Sequence, residues 1–259
     1  MFYDLSLISF LLLVVAMFSA GFVDAIAGGG GLIQTPAMLL TFPDRNPVSV
    51  VGTSKTAAFF GTTTAAIKYR RSIKTDPKLL LAMVAPAFIG ACFGALMASH
   101  VSPEGFKKAI FFMMIAIFIY TWSKPELGAA HLEKYSQKKL FTIGAIAAFI
   151  IGFYDGLIGP GTGTLLMIFL VAVMGFAFVG ASAIAKVVNA TTNLASIIVV
   201  GLRLGIMWKL GLALGVANLA GGYLGSHVAI KNGSNFVRIF YLIVTALLIV
   251  RLGYSLFVE

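Results

Sequence analysis

GFVDAIAGGGGLIQTP, residues 21–36, closes a long apolar run with an aspartate and then, after three more residues, places four consecutive glycines. Glycine has no side chain to pack and loses the most backbone entropy on ordering, so a helix entering this stretch is expected to stop. Inside a bilayer the backbone groups freed by such a stop are tolerable only where protein buries them or a watery cavity meets them. The stretch therefore predicts a membrane helix that breaks at a place with a purpose.

The surroundings are those of a membrane protein. Of 259 residues, 59% are hydrophobic and 11% are charged, against roughly a quarter charged in an average soluble domain. Apolar runs recur at 5–26, 48–67, 79–98, 109–122, 141–158, 179–200, 210–228 and 236–252. Most approach the ~20 residues that cross a hydrocarbon core about 30 Å thick. The first run continues directly into the glycine motif and MFYDLS supplies no Lys or Arg ahead of it, so it is expected to belong to the fold rather than to a cleaved signal.

The net charge of +10 does not indicate nucleic acid, because the basic residues fall mostly in short loops between apolar runs, where topology already calls for them. The single cysteine, Cys92, excludes an internal disulfide. His100, His131 and His227 lie at or beyond run ends without metal-ligand spacing, so no metal site is expected. The spans offer no nucleophile and base, and hence no catalytic set. A glycine-rich nucleotide loop would need a preceding strand and a soluble βαβ unit, which membrane-length flanks do not allow.

A shift of 131 residues lays GFVDAIAGGGG on GFYDGLIGPGT without a gap. It pairs Asp24 with Asp155, Gly28 with Gly159, Lys55 with Lys186, Gly90 with Gly221 and Gly94 with Gly225. The chain therefore reads as two related halves: a first membrane repeat at 1–123, a cytoplasmic linker at 124–139 and a second repeat at 140–259. Duplicated halves with interrupted helices are the sequence signature of secondary transporters, which hold substrate between the halves near mid-membrane.

Residues 5–42 as one helix would run about 57 Å, nearly twice the hydrocarbon core, so a hairpin turning at the glycines is more economical. The expected architecture is an all-α polytopic membrane protein of about 8 full spans plus two short broken segments. Five segments per half make the repeats inverted; four make them parallel. Lys and Arg in the loops divide 11 inside and 6 outside for the inverted arrangement, and 12 and 5 for the parallel one. That count is nearly tied, and the N-terminus without Lys or Arg tips the expectation towards inverted 5+5 over parallel 4+4.

Asp24, Lys55, Asp155 and Lys186 sit within or at the edge of apolar spans, each costing about 2.5–3.5 kcal/mol at mid-membrane, which marks them for function. Lys186, Asn189 and Asn193 follow i, i+3, i+7 and share one helix face, whereas Thr53, Ser54 and Lys55 splay over several directions. A compact ammonium among hydroxyl and amide donors suits a small oxyanion such as sulfite, a sulfonate or a carboxylate. Gly29, Gly30 and Gly31, and then Gly161, Thr162 and Gly163, would add unpaired N–H groups and a positive helix end. Asp24 and Asp155 either pair with the lysines and lock helices together or couple transport to a proton or cation. Trp122 and Trp208 stand near span ends as interface anchors.

The motifs GFVDAIAGGGGLIQTP, VGTSKT followed by YRR, GFYDGLIGPGTGT and AKVVNATTNLA together resemble the sulfite exporter TauE/SafE family, the sulfonate uptake and export permeases, most closely its YfcA-like branch. The resemblance spans nearly the whole chain. It implies an inner-membrane, multi-pass transporter of small anions, often sulfur-containing, without a prosthetic group. It also carries over Gly52, Thr53, Ser54 and Lys55 with Lys186, Asn189 and Asn193 as pathway residues. The second half has Ala183, Ile184 and Ala185 in place of Gly52, Thr53 and Ser54, which speaks against a symmetric site. The expected partners are the lipid bilayer and a small anionic substrate, moved by alternating access; a homodimer stays open. An anion channel, a membrane scaffold and an intramembrane enzyme are the competing functions.

Overall fold

The computed structural model describes residues 5–100 and 135–257, with positions 112, 115, 118, 119, 122 and 123 between them. The apolar run at 109–122, apart from those positions, and most of the linker at 124–139 lie outside the described residues. Every regular element among the described residues is a helix.

Helix α1, Leu7–Ala27, opens on Ser6, whose hydroxyl accepts the amide of Ser9 at 3.1 Å, and closes on Gly28 in the left-handed conformation at φ 81°. The chain re-enters helix at Gly31, and α2, Gly31–Thr41, folds back along α1 so that Gly30 packs on Ala20 and Asp24. A continuous helix would separate residues 20 and 30 by about 15 Å, so the glycine run does turn the chain. Helix α3, Pro47–Ser72, is started by the Asn46 side chain, with proline in its first turn and Arg70 and Arg71 in its last. Each of these features is favourable at that end of a helix. Helix α4, Pro77–Met97, is capped in the same way by Asp76.

Helix α5, Gln137–Leu157, ends before a second interruption in which Gly159 and Gly161 both take left-handed φ values, 92° and 90°. The short α6, Thr162–Ile168, runs on into a π turn at Phe169–Val173. Helix α7, Phe178–Arg203, follows, and then α8, Trp208–Phe257, which breaks at Gly233 (φ 76°). Adding 131 to the bounds of α3 gives 178–203, the bounds of α7; adding it to Pro77 gives 208, where α8 begins. The duplicated sequence is a duplicated set of helices.

Helices α1, α4, α5 and α7 are long and apolar enough to cross a bilayer by length and composition. Large apolar side chains are turned outwards along them and their neighbours, Ile8 at 72% and Leu202 at 83% exposure among them. On a soluble protein so much exposed apolar surface would be an association site; around a bundle of apolar helices it is the lipid-facing surface. Inside, Tyr69, Met83, Leu166, Met167, Phe178 and Tyr241 close the main core.

Each half packs chiefly on the other. Helix α1 lies along α8, and α4 along α5, at closest approaches made by small residues. Gly221 and Gly225 sit on the carbonyls of Phe18 and Phe22, and Gly90 and Gly94 on those of Phe149 and Phe153. A Cβ at any of the four would strike backbone, as close packing through small residues requires. Helices α3 and α7 cross antiparallel: Ser49 Oγ donates to the Gly205 carbonyl at 2.7 Å, Gly52 abuts Val200, and Lys55 Nζ reaches Ser196 Oγ at 3.1 Å.

Candidate functional site

The two interruptions meet in the middle of the molecule. Gly28 lies directly on the backbone of Gly163, Gly31 faces Pro160, and the Thr164 hydroxyl donates to the Ala27 carbonyl at 3.3 Å. Contact this close, at a left-handed φ, leaves room for glycine alone at position 28.

Asp24 and Asp155 stand in the last turns of α1 and α5, where the helix dipole disfavours negative charge. Each is met by a lysine from the other half. Lys186 Nζ on α7 donates to Asp24 Oδ2 at 2.9 Å, and Lys55 Nζ on α3 lies 2.8 Å from Asp155 Oδ2. The second is a charge contact outside hydrogen-bond angles, since Asp155 Oδ2 has no aligned donor. Lys55 spends its hydrogen bonds on the Asp155 backbone carbonyl and on Ser196 Oγ. The 131-residue shift carries Lys55 onto Lys186 and Asp24 onto Asp155, so these are two copies of one crossed clasp between the halves. Both lysines are buried, Lys186 completely. Removing either member of such a pair strands a buried charge, even where the intact pair contributes little net stability.

Between the clasps lies a small polar cavity. Glycines of both breaks wall it, Gly28 and Gly31 from one half with Gly159, Gly161 and Gly163 from the other. Asp24, Lys55 and Asp155 supply charge, and Thr162 lines it while its hydroxyl donates to Asp155 Oδ1 at 2.7 Å. Asn189 and Asn193, one turn apart on α7, complete that face. Their residues are 6% and 5% exposed, yet their side-chain amides have no hydrogen-bond partner among the described residues. Buried amides normally find partners, and these point at the cavity.

Other singled-out residues sit elsewhere. Gly29 and Gly30 are buried in the first break but do not line the cavity. Lys186 lies behind Asp24, off the wall. Thr53 Oγ1 donates to the Ser49 carbonyl and accepts the Met207 amide at 3.1 Å, which ties α3 to the start of α8. Ser54 is buried, and its backbone carbonyl accepts from the Gln34 side chain at 3.3 Å. The cavity also recruits Gln34, Thr35, Thr62 and Asn218, which sequence reasoning missed. Gln34 and Asn218 are joined at 3.1 Å, and Asn218 also donates to the Met17 carbonyl. A lone amide inside an otherwise apolar run was the available signal.

The sequence profile of the sulfite exporter TauE/SafE family matches residues 13–252, almost the entire chain. This chain belongs to that family. Among curated relatives, it is 35% identical over 240 residues to "Probable membrane transporter protein ORF9" of Sinorhizobium sp, covering 93% of this chain and 90% of that one. It is 32% identical over 262 residues to "Probable membrane transporter protein YfcA" of Escherichia coli K12, covering 98% and 94%. A "Probable membrane transporter protein" of Haemophilus influenzae is 33% identical over 238 residues, 92% of each chain. No solved structure matches. Family and helices together make this TauE/SafE member a multi-pass membrane protein whose relatives are named as transporters rather than enzymes.

Proposed function

We propose that this protein is a secondary transporter of small anions, sulfur-containing oxyanions or organosulfonates, working by alternating access between two inverted repeats of five segments in the inner membrane. The halves are residues 1–123 and 140–259, joined by a cytoplasmic linker at 124–139. The observation that carries the reading is the pair of unused Asn189 and Asn193 amides that line, together with Lys55, a cavity walled by both glycine breaks. Ammonium, amide N–H and hydroxyl groups are the donors an oxyanion needs. The sulfur chemistry is taken from the family description. Support for inversion comes from α3 crossing its own repeat copy, α7, in the antiparallel sense, since parallel repeats keep equivalent helices in one direction. Binding between two halves clasped by crossed ion pairs suits a mechanism in which one half rocks against the other.

The test is saturable counterflow of labelled sulfite and methanesulfonate in proteoliposomes. Lys55→Gln and Asn193→Ala should each lower it by about tenfold or more, the worth of one hydrogen bond to a charged group, while the purified variants remain folded. Unchanged flux in both variants rejects the assignment of the cavity, and non-saturable flux favours a channel.

A further inference from the structure

The two Lys–Asp clasps are copies in sequence, but their surroundings differ. Asp155 is the more enclosed of the two: Oδ1 accepts the Thr162 hydroxyl at 2.7 Å, Oδ2 lies in charge contact with Lys55 without a hydrogen bond, and its side chain is 3% exposed. Lys55 is held besides by Ser196 and by a backbone carbonyl. At the other clasp the counterpart of Thr162 is Gly31 and that of Ser196 is Ala65, so neither hydroxyl exists. Lys186 Nζ has Asp24 Oδ2 as its one acceptor among the described residues, although it is completely buried. Asp24 receives a long 3.4 Å contact from the Thr62 hydroxyl on that same oxygen, and Oδ1 meets no donor among the described residues. Its side chain is 13% exposed and lines the cavity.

We propose that Asp24, and not its repeat copy Asp155, binds a proton that travels with the anion; this rests on the anion-transport reading above. With two lysines and two aspartates the site is formally neutral. A monovalent anion entering it would be a buried charge without a counterion. One proton taken from the cavity onto Asp24 Oδ1 removes one negative charge, leaves Lys186 cationic behind it, and turns the carboxyl into an O–H donor aimed at the anion. Proton and anion enter together and leave together, so the cycle moves no net charge. The groups facing Asp24 are few. Helix α7 brings Lys186, and α3 brings Thr62 and Tyr69, whose hydroxyl bonds Ala25 in the next turn position. The turn before α2 brings Gly30, α6 brings Gly163 and Thr164 near the helix end, and α8 brings Asn218 and glycines. The Lys55–Asp155 pair lies across the cavity.

The probe is methanesulfonate, whose charge does not change with pH. In proteoliposomes an acid-outside gradient of one pH unit should accumulate it up to about tenfold, the free energy of one unit for one proton, and an imposed voltage should not. Infrared titration of the purified protein keeps the residue assignment testable without deleting a charge. One protonated-carboxyl band is expected, displaced in Asp24→Glu and unmoved in Asp155→Glu. Saturable flux without accumulation overturns proton coupling, and a band that is absent or follows Asp155→Glu overturns the choice of Asp24. Absence of saturable counterflow for methanesulfonate, sulfite and sulfate alike would instead remove the anion-transport reading.

Discussion

The first and second halves share a backbone plan and differ in what hangs from it. Helices α3 and α7 have matching bounds under the 131-residue shift, and each is followed by a helix that starts at the matching position. Around the cavity, however, Ala58 and Thr62 of the first half stand where the second has Asn189 and Asn193, and Ala87 stands where it has Asn218. Gln34 answers to Leu165. Duplication has fixed the scaffold and the crossed lysine–aspartate clasps, because both halves need the same helix breaks and the same charge balance. The neutral polar groups that would read a ligand are present in single copy.

The largest expected effect comes from unequal support at the two clasps. Asp24→Ala leaves Lys186 buried with no acceptor and should cost about 3–5 kcal/mol. Asp155→Ala should cost less, because Ser196 and a backbone carbonyl still hold Lys55. Thermal unfolding of both variants in detergent measures the difference, and equal losses would erase the asymmetry. The double change Asp24→Leu with Lys186→Met should recover most of the loss, since it removes both buried charges together.

Next in size are the breaks. Gly28→Ala adds a Cβ onto the Gly163 backbone at a left-handed φ, a cost of roughly 2–5 kcal/mol from strain and overpacking together. Gly205→Ala, with a similar φ of 78° but nothing within 4 Å, should lose only the conformational part, about 1–2 kcal/mol. Similar melting shifts for the two would mean that the breaks are not pressed together. Smaller than the effect at the first break is Ser196→Ala, which makes the Lys55 clasp resemble that of Lys186. A loss of about 1.5–3 kcal/mol is expected for a hydrogen bond to a charged group, and no loss would show that the ion pair alone holds Lys55.

Much of this scaffold was legible in the sequence. The glycine run breaks its helix, the repeat offset returns as matching helix bounds, and Gly90, Gly94, Gly221 and Gly225 are the close contacts between helices. These features are local or periodic, and backbone sterics act on them directly. Which aspartate meets which lysine was not legible, because Asp24 is 31 residues from Lys55 and 162 from Lys186, and only the packing of one half on the other selects the distant partner. Nor was the cavity wall complete. Gln34 and Asn218 lie 184 residues apart, and no spacing rule joins them.

The mechanism requires an anion in the cavity beside the contact of Gly28 with Gly163, next to Asn193. The most direct test begins by replacing the one native cysteine, Cys92, with serine and introducing Ala58→Cys in the cavity wall, with Asp44→Cys in an exposed loop as the control. Alkylation by N-ethylmaleimide is then followed with and without methanesulfonate or sulfite at saturating concentration. Slowed labelling at position 58 with unchanged labelling at position 44 is the predicted result. Equal labelling at position 58 in the presence of an anion that the protein demonstrably transports would contradict it.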